Sequence, residues 1–346
     1  MQYVDELMGL ETNFDIIHRV IRLGDTDACM YLIDGFCKDE LMQKILQYLM
    51  DLKAEDFPKD AHEMSKIAIP YVEVDLDDTW EKILGALLSG VFVLLLDGYE
   101  KAVLIDARTY PTRGVEEPDK DKVLRGSKDG FVETVVFNTA LIRRRIRSTD
   151  LHMEMLNAGE NSRTDIVLCY MESRVDPKLL TQIRERIRSI QVDALAMNQE
   201  SLAECLYQRK WYNPFPKFKY TERPDTAAAQ VLEGNLVILV DNSPSAMILP
   251  TTIFDVVEEA DDYYFPPVTG TYLRLTRFLI ALLTYFVTPT YLLLMNHRMW
   301  IPENLEFIIL KEDPNVPLIL QFLLLELAID GLRLAAVNTP NMLSTP

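Results

Sequence analysis

The chain has 346 residues, with 35 Lys or Arg against 53 Asp or Glu and a formal net charge of −18 at pH 7. This excess of negative charge argues against nucleic acid as a general partner, because phosphate binding requires a basic surface. The length favours two or three structural units over one compact domain.

The negative charge is concentrated in the front part of the chain. Residues 271–346 hold 5 Lys or Arg and 6 Asp or Glu, a balance of −1, which leaves −17 for residues 1–270. We therefore expect a hydrated, soluble unit followed by an apolar region. The first residues show neither the basic nor the apolar stretch of a signal peptide, so none is predicted.

Four cysteines are present, and none has a C-x-x-C or zinc-site spacing. They are Cys29, Cys37, Cys169 and Cys205. Reduced thiols in the core of a cytosolic domain are favoured over a redox or metal role.

The front of the chain predicts alternating strands and helices. The predicted order is strand, helix, helix and hairpin, at residues 27–34, 38–53, 78–89 and 91–105. In the hairpin, two short apolar runs flank a turn that begins with Asp97-Gly98.

The same order of elements returns further along the chain. A strand is predicted at 165–172, a helix opens at Asp176-Pro177, another helix covers 225–233, and two strands cover 236–240 and 246–249. An offset of 138 positions aligns Asp34 with Glu172, and an offset of 144 aligns Asp97 with Asp241. We interpret this as an internal duplication; the alternative is two unrelated α/β segments.

The predicted fold class is α/β, with two similar small α/β lobes followed by an α-helical transmembrane region that is truncated. The predicted boundaries are a first lobe at 1–112, a linker at 113–130, a second lobe at 131–260 and a membrane region at 271–346. Neither G-x-G-x-x-G nor P-loop spacing occurs. With 4 histidines, a metal hydrolase is disfavoured. The sequence thus predicts no enzyme, no cofactor and no metal.

The first predicted membrane helix covers about 274–297. Residues 278–295 form an uncharged run, long enough to span a bilayer and flanked by cationic residues on both sides. Pro289 lies inside this run and is expected to kink or break the helix. A buried helix of a globular domain is the alternative.

The second predicted membrane helix, at about 317–337, is not purely apolar. Glu326, Asp330 and Arg333 are spaced by four and three residues, so they share one helical face. In lipid each ionised group would cost roughly 2.5–3.5 kcal/mol. They should therefore face protein or water, with Asp330 and Arg333 as the natural pair. They form either an ion pair that locks helices together or a polar stripe along an ion path or subunit interface.

Four stretches of the chain are distinctive: residues 10–15, the block at 123–146, residues 261–274, and residues 324–333 followed by Asn338-Thr-Pro. Together they resemble the GerA family, the A subunits of bacterial spore germinant receptors. The likeness covers essentially the whole chain, and the block at 123–146 is highly specific. Residues 329–335 and the ending 338–346 look more like one branch of the family, a group of sporulation proteins.

The resemblance implies a protein of the spore inner membrane, with its two-lobed N-terminal domain on the cytosolic, core side. It implies a homo-oligomer whose membrane helices pass ions early in germination. The implied partners are B- and C-type receptor subunits or a small partner membrane protein. Family members continue beyond Pro346 with further membrane helices, so the membrane region is expected to be incomplete.

An arginine cluster, Arg143, Arg144, Arg145 and Arg147, is predicted at the end of a helix that starts near Phe131. The helix dipole stabilises such cations by roughly 0.3–1 kcal/mol each, which accounts for one or two of them. Four in five positions favour contact with acidic surface on the neighbouring lobe or a neighbouring subunit. A solvated helix end and a site for an anionic ligand or lipid are the alternatives.

Arg125 and Lys128 lie in the glycine-flanked turn before that helix. They form either a polar turn between the lobes or a contact between lobes or subunits. The predicted function is a subunit of an ion-release channel or germinant receptor. The alternatives are a secondary transporter subunit, in which Glu326 and Asp330 handle a proton or cation, and a non-conducting scaffold.

Overall fold

The structure, a computed structural model, describes residues 2–37, 39–109, 128–207, 213, 215–252, 254–255, 265–309 and 315–338. It divides into two compact units, Met1–Pro266 and Pro267–Pro346. The first unit contains two five-stranded sheets, and long helices dominate the described part of the second.

The first sheet and its helices form lobe 1. Its described elements are α1 (Gln2–Leu7), β1 (Ile16–Leu23), β2 (Thr26–Ile33), α2 (Asp39–Met50), α3 (Ala61–Ile67), β3 (Val74–Asp77), α4 (Trp80–Leu88), β4 (Phe92–Leu96) and β5 (Ala102–Ile105).

The second sheet and its helices form lobe 2. Its described elements are α5 (Val135–Arg145), β6 (Leu151–Ala158), β7 (Thr164–Met171), α6 (Pro177–Arg188), α7 (Gln199–Leu206), β8 (Lys219–Thr221), α8 (Pro224–Glu233), β9 (Leu236–Val240) and β10 (Ala246–Leu249).

The two lobes have the same topology. The strand orders are β1-β2-β4-β5-β3 and β6-β7-β9-β10-β8, and all strand pairs are antiparallel. The registers also repeat, since the pair Ala28 and Leu96 becomes Ile166 and Val240 under the offsets of 138 and 144. The duplication predicted from the sequence is therefore present in the fold. It extends to α1 and β1, which correspond to α5 and β6 at an offset of 135.

Each sheet is covered by helices on both faces. In lobe 1 the buried side chains Ile45 and Leu49 of α2 pack on one face, and Ile83 and Leu87 of α4 pack on the other. Burying an aliphatic side chain of this size contributes roughly 1.5–3 kcal/mol. Each lobe thus has two apolar layers that hold its sheet and helices together.

Local signals explain where α6 starts. The Asp176 carboxylate accepts a hydrogen bond from the Lys178 N–H at 2.9 Å, and Pro177 occupies the first turn of α6. The start of this helix predicted from the sequence is confirmed.

Two details differ from the prediction. The helix with the arginine cluster begins at Val135, not near Phe131, and ends at Arg145, so Arg147 lies beyond it. None of the four cysteines, all of which lie in the described residues, forms a disulfide, but Cys205 is exposed and is not a core thiol.

The second unit contains α9 (Pro267–Asn296) and α10 (Leu318–Asn338). Among the described residues, α9 is the one helix long and apolar enough to cross a membrane, by length and composition alone. It continues through Pro289 without a break. The other predicted span, α10, also forms a helix, and it differs from α9 in carrying three charged residues, Glu326, Asp330 and Arg333.

Candidate functional site at the junction of the lobes

Arg143 joins the two lobes. It lies in the last turn of α5 and is 0% exposed. Its guanidinium donates to both carboxylate oxygens of Asp15, with Nε–Oδ2 at 2.7 Å and Nη2–Oδ1 at 3.0 Å. Its Nη1 donates to the Leu151 carbonyl oxygen at 3.1 Å. This bidentate, hydrogen-bonded arrangement is what an arginine–carboxylate pair requires in order to be buried.

Helix α5 is positioned by both lobes. Ile142 belongs to the apolar layer of lobe 2, whereas Ala140 packs against Ile33 and Phe36 of lobe 1. With lobes on two sides, the helix end that carries Arg143 is held at the junction. The sequence alone did not reveal this double burial.

The segment before β1 covers the edge strand of lobe 2. The Phe14 N–H donates to the Met153 carbonyl at 3.2 Å, and the Met153 N–H donates to Asn13 Oδ1 at 2.7 Å. Asn13 Nδ2 in turn donates to the Met8 carbonyl at 2.7 Å. Because β6 is the edge of its sheet, this segment satisfies backbone groups that would otherwise lack protein partners.

His152 lies in the same contact. Its Nδ1 is 2.8 Å from Thr12 Oγ1, and its ring stacks on Tyr170 with centroids 5.7 Å apart. Burial, helped by the nearby Arg143 charge, lowers the pKa of His152 below its usual value, although Glu172 and other carboxylates oppose the shift. The neutral imidazole is therefore favoured at this junction.

Gly9 permits the close approach to His152. Its φ is +55°, and a Cβ at this position would lie 2.8 Å from His152 Cε1. Both the left-handed backbone and the lack of space require glycine here.

The predicted cationic site residues fall into different environments. Arg143 is buried as described, and Arg145 is half-buried, forms an ion pair with Asp129 and donates to the Leu141 carbonyl at 2.9 Å. The exposed ones are Arg144, Arg147 and Lys128, and Arg125 lies outside the described residues. Because Arg143 is enclosed by its own chain, it meets the neighbouring lobe and is not available to another subunit.

The acidic partner and the polar contacts around it were missing from the predicted site. Asp15, Asn13 and His152 were not singled out, although residues 10–15 carried part of the family resemblance. Residues 10–15 were the signal that could have pointed to Asn13 and Asp15. The polar residues of this segment lie between two apolar stretches, and they have no obvious local role.

The predicted polar stripe lies on α10. Glu326, Asp330 and Arg333 are all exposed within the second unit. In the described part of the chain, no ion pair connects Asp330 with Arg333. The ion pair by which Asp330 and Arg333 were predicted to neutralise each other is therefore absent from the described residues. Among the same described residues, no cluster of His, Cys, Asp and Glu could hold a metal ion.

Comparisons with known proteins agree with the resemblance found in the sequence. A family model for the Bacillus/Clostridium GerA spore germination proteins matches residues 2–346. Stage V sporulation protein AF of Bacillus subtilis is 38% identical over 99% of this chain and 70% of its own length. This is the branch indicated by residues 329–335. The uncharacterized membrane protein YfkQ of Bacillus subtilis is 30% identical, over 94% of this chain and 64% of its own length.

A solved structure matches the first unit. It is the crystal structure of the N-terminal domain of the A subunit of the Bacillus megaterium spore germinant receptor GerK3. The match has a TM-score of 0.55 and 27% identity, and it covers 73% of this chain and 93% of the crystallised one.

Proposed function

This chain belongs to the GerA family of spore germination proteins and is of the A-subunit type, and we propose that it is a non-enzymatic subunit of an oligomeric ion-release channel or germinant receptor complex. In this proposal the first unit is an assembly platform, and α9 and α10 contribute to the membrane part that ions cross. The proposed complex acts early in germination.

The exposed end of the arginine cluster supports assembly. Arg144 is exposed in the last turn of α5 and Arg147 is exposed just beyond it, whereas residues 1–270 together carry a charge of −17. Concentrated positive charge on a strongly acidic unit is complementary to the acidic surface of another copy. Arg143, held by Asp15, fixes the direction in which this helix end points.

The inferred partners are further copies of this chain and other germination membrane proteins. The latter are B- and C-type receptor subunits or a small partner membrane protein. We infer a location in the spore inner membrane, with α9 spanning it and the first unit on the cytosolic, core side. The net charge of −18 disfavours nucleic acid as a partner.

A secondary transporter subunit is the second candidate. Glu326 and Asp330 are exposed on one face of the long helix α10, and carboxylates within membrane segments commonly handle protons or cations. A scaffold that only recruits other germination proteins is the third possibility.

Conductance across liposomes that contain the purified chain separates the three functions. A channel subunit gives a current that rises with the ion gradient without saturating, and a transporter gives a saturable flux coupled to a substrate. The matched control is a fragment that ends at Pro266 and lacks α9 and α10. An absence of current or flux under all gradients would contradict conduction and transport by this chain on its own, and would favour a receptor subunit that needs its partners or a scaffold.

A further inference from the structure

A groove of about 530 Å³ lies at one end of the lobe 1 sheet. We call it the lobe 1 groove. Its walls come from β1, β2, the start of α4 and the turn between β4 and β5, and they include Val20, Asp27, Asp78, Trp80, Asp97 and Glu100.

Lobe 2 contains a location equivalent to the lobe 1 groove. The offsets of 138 and 144 relate Asp27 to Asp165 and Asp97 to Asp241. In lobe 1 the Asp97 N–H donates to the Asp27 carbonyl at 2.9 Å, and in lobe 2 the Asp241 N–H donates to the Asp165 carbonyl at the same 2.9 Å. The repeated hydrogen bond shows that the two positions correspond.

In lobe 2 this place is filled by residues 131–135 of the same chain. The Phe131 N–H donates to the Glu222 carbonyl at 2.8 Å, and the Asn242 N–H donates to the Glu133 carbonyl at 2.7 Å. The Val135 N–H donates to Asp241 Oδ1 at 3.1 Å. Phe131 itself is 1% exposed and packs in the apolar layer of lobe 2. The segment that enters this place is thus a non-helical peptide followed by the start of α5, with one aromatic anchor.

The counterparts in lobe 1 make none of these bonds within the described residues. They are the Asp78 carbonyl, the Asp97 carboxylate and the Gly98 N–H. The apolar walls are open as well, since Val20 is 57% and Trp80 40% exposed. Pro224, the counterpart of Trp80, is buried in lobe 2. The lobe 1 groove therefore offers the same hydrogen-bonding positions and apolar walls that hold residues 131–135 in lobe 2.

The charge of the lobe 1 groove limits what it can bind. Four carboxylates line it, from Asp27, Asp78, Asp97 and Glu100, against the one ammonium of Lys101. A segment with a cationic side chain is therefore favoured over a neutral or acidic one. In a second copy, the arginine cluster belongs largely to helix α5 and so does not present a non-helical segment, and residues 1–270 as a whole are acidic, so another protein fits better.

We propose that the lobe 1 groove binds a non-helical, basic segment of a partner protein in the manner of residues 131–135. A large apolar side chain of that segment enters beside Val20 and Trp80. Its backbone pairs with the Gly98 N–H and the Asp78 carbonyl, and its cationic side chain faces the carboxylates. This surface is distinct from the arginine cluster, so the proposal does not depend on the assembly proposed above.

A labelled peptide tests this directly. The probe has the sequence of residues 130–138 with Glu133→Lys, carries fluorescein, and is titrated against the full chain in detergent while anisotropy is followed. We expect saturable binding that weakens at least tenfold when the peptide carries Phe131→Ala. Asp27→Asn combined with Asp97→Asn in the protein should weaken it to a similar extent. Asp165→Asn, the exposed counterpart of the first change, is the matched control and should leave binding unchanged.

Three results would overturn the proposal. The first is the absence of saturable binding to the unmodified chain, and the second is binding that the groove variants do not alter. The third is a fall in the oligomeric mass of the full chain when Asp27 and Asp97 are changed, without peptide binding, because the occupant would then be a second copy.

Discussion

Arg143 and Asp15, 128 positions apart in the chain, form a buried bidentate ion pair across the junction of the two lobes. Under the offset of 135 that relates α5 to α1, the counterpart of Arg143 is Met8, which is also fully buried. The corresponding position is thus apolar just after α1 in lobe 1 and charged in the last turn of α5 in lobe 2. The charged residue, Arg143, is found on α5, the helix that contacts both lobes.

Replacing Arg143 by methionine should strongly destabilise the first unit. Arg143→Met leaves the Asp15 carboxylate buried without its partner, and such a loss costs about 3–5 kcal/mol. Adding Asp15→Asn removes the uncompensated charge and should recover part of it. Urea unfolding of a fragment comprising residues 1–266 measures the free energy of unfolding.

The matched control for this change is Arg188→Met. Arg188 also lies in the last turn of a lobe 2 helix, but it is 62% exposed where it pairs with Glu154. Exposed pairs contribute about 0–1 kcal/mol. If Arg143→Met costs no more than Arg188→Met, the pair does not hold the lobes together.

Charge reversal on the exposed part of the arginine cluster should weaken assembly without unfolding the chain. Arg144→Glu with Arg147→Glu changes two exposed side chains and should lower the free energy of unfolding by only about 1–2 kcal/mol, because the helix dipole contributes roughly 0.3–1 kcal/mol per cation. Arg145 is left unchanged because its pair with Asp129 supports the local fold. Light scattering of the full chain in detergent should show a smaller assembly.

Lys66→Glu with Lys178→Glu makes the same change in net charge at exposed positions on α3 and α6. It should keep the original mass. An unchanged mass in the Arg144 and Arg147 variant would remove the assembly role of the cluster.

The central strands were predictable from the sequence and the edge strands were not. Residues 236–240 and 246–249 are uninterrupted apolar runs buried on both faces, and their predicted bounds are the observed ones. By contrast, β1 mixes exposed charged residues with buried aliphatic ones, and β8 has only three residues. Neither shows a regular alternation, because an edge strand is covered only in part.

The start of α5 was mispredicted for a tertiary reason. Apolar residues from Phe131 onward have helical spacing, but residues 131–134 are not helical because they dock on Glu222 and Asn242 of the same lobe. The helix then starts at Val135, where Asp241 accepts its first N–H. The partner of Arg143 was unpredictable for a similar reason, since no local pattern selects Asp15 among 53 acidic residues.

Acidification should destabilise the junction through His152. Its pKa is lowered in the folded chain, chiefly by burial, whereas in the unfolded chain it is near 6.5. As the pH falls through about 6.5, the unfolded state binds the proton first, so the free energy of unfolding decreases. Above that pH both states are neutral and the residue contributes no pH dependence.

His152→Gln keeps a polar group near Thr12 but cannot titrate. Its loss of thermal stability between pH 7.5 and pH 5.5 should therefore be smaller than that of the unmodified protein. His62→Gln, an exposed position on α3, should retain the full loss. Identical pH profiles for the His152 variant and the unmodified protein would show that another group causes the acid sensitivity.

The carboxylates of α10 provide a test of the ion path. Removing both charges with Glu326→Gln and Asp330→Asn should slow cation release severalfold if this face lines a conduit, because a cation in a low-dielectric path is stabilised by nearby carboxylates. Potassium efflux from vesicles containing the chain, followed with an ion-selective electrode, measures the rate. Glu303→Gln with Glu306→Gln removes the same charge from the turn Glu303–Ile308 between α9 and α10 and should leave efflux unchanged. Efflux at the original rate in the Glu326 and Asp330 variant would show that these two carboxylates do not line the ion path. Their role would then be in helix packing.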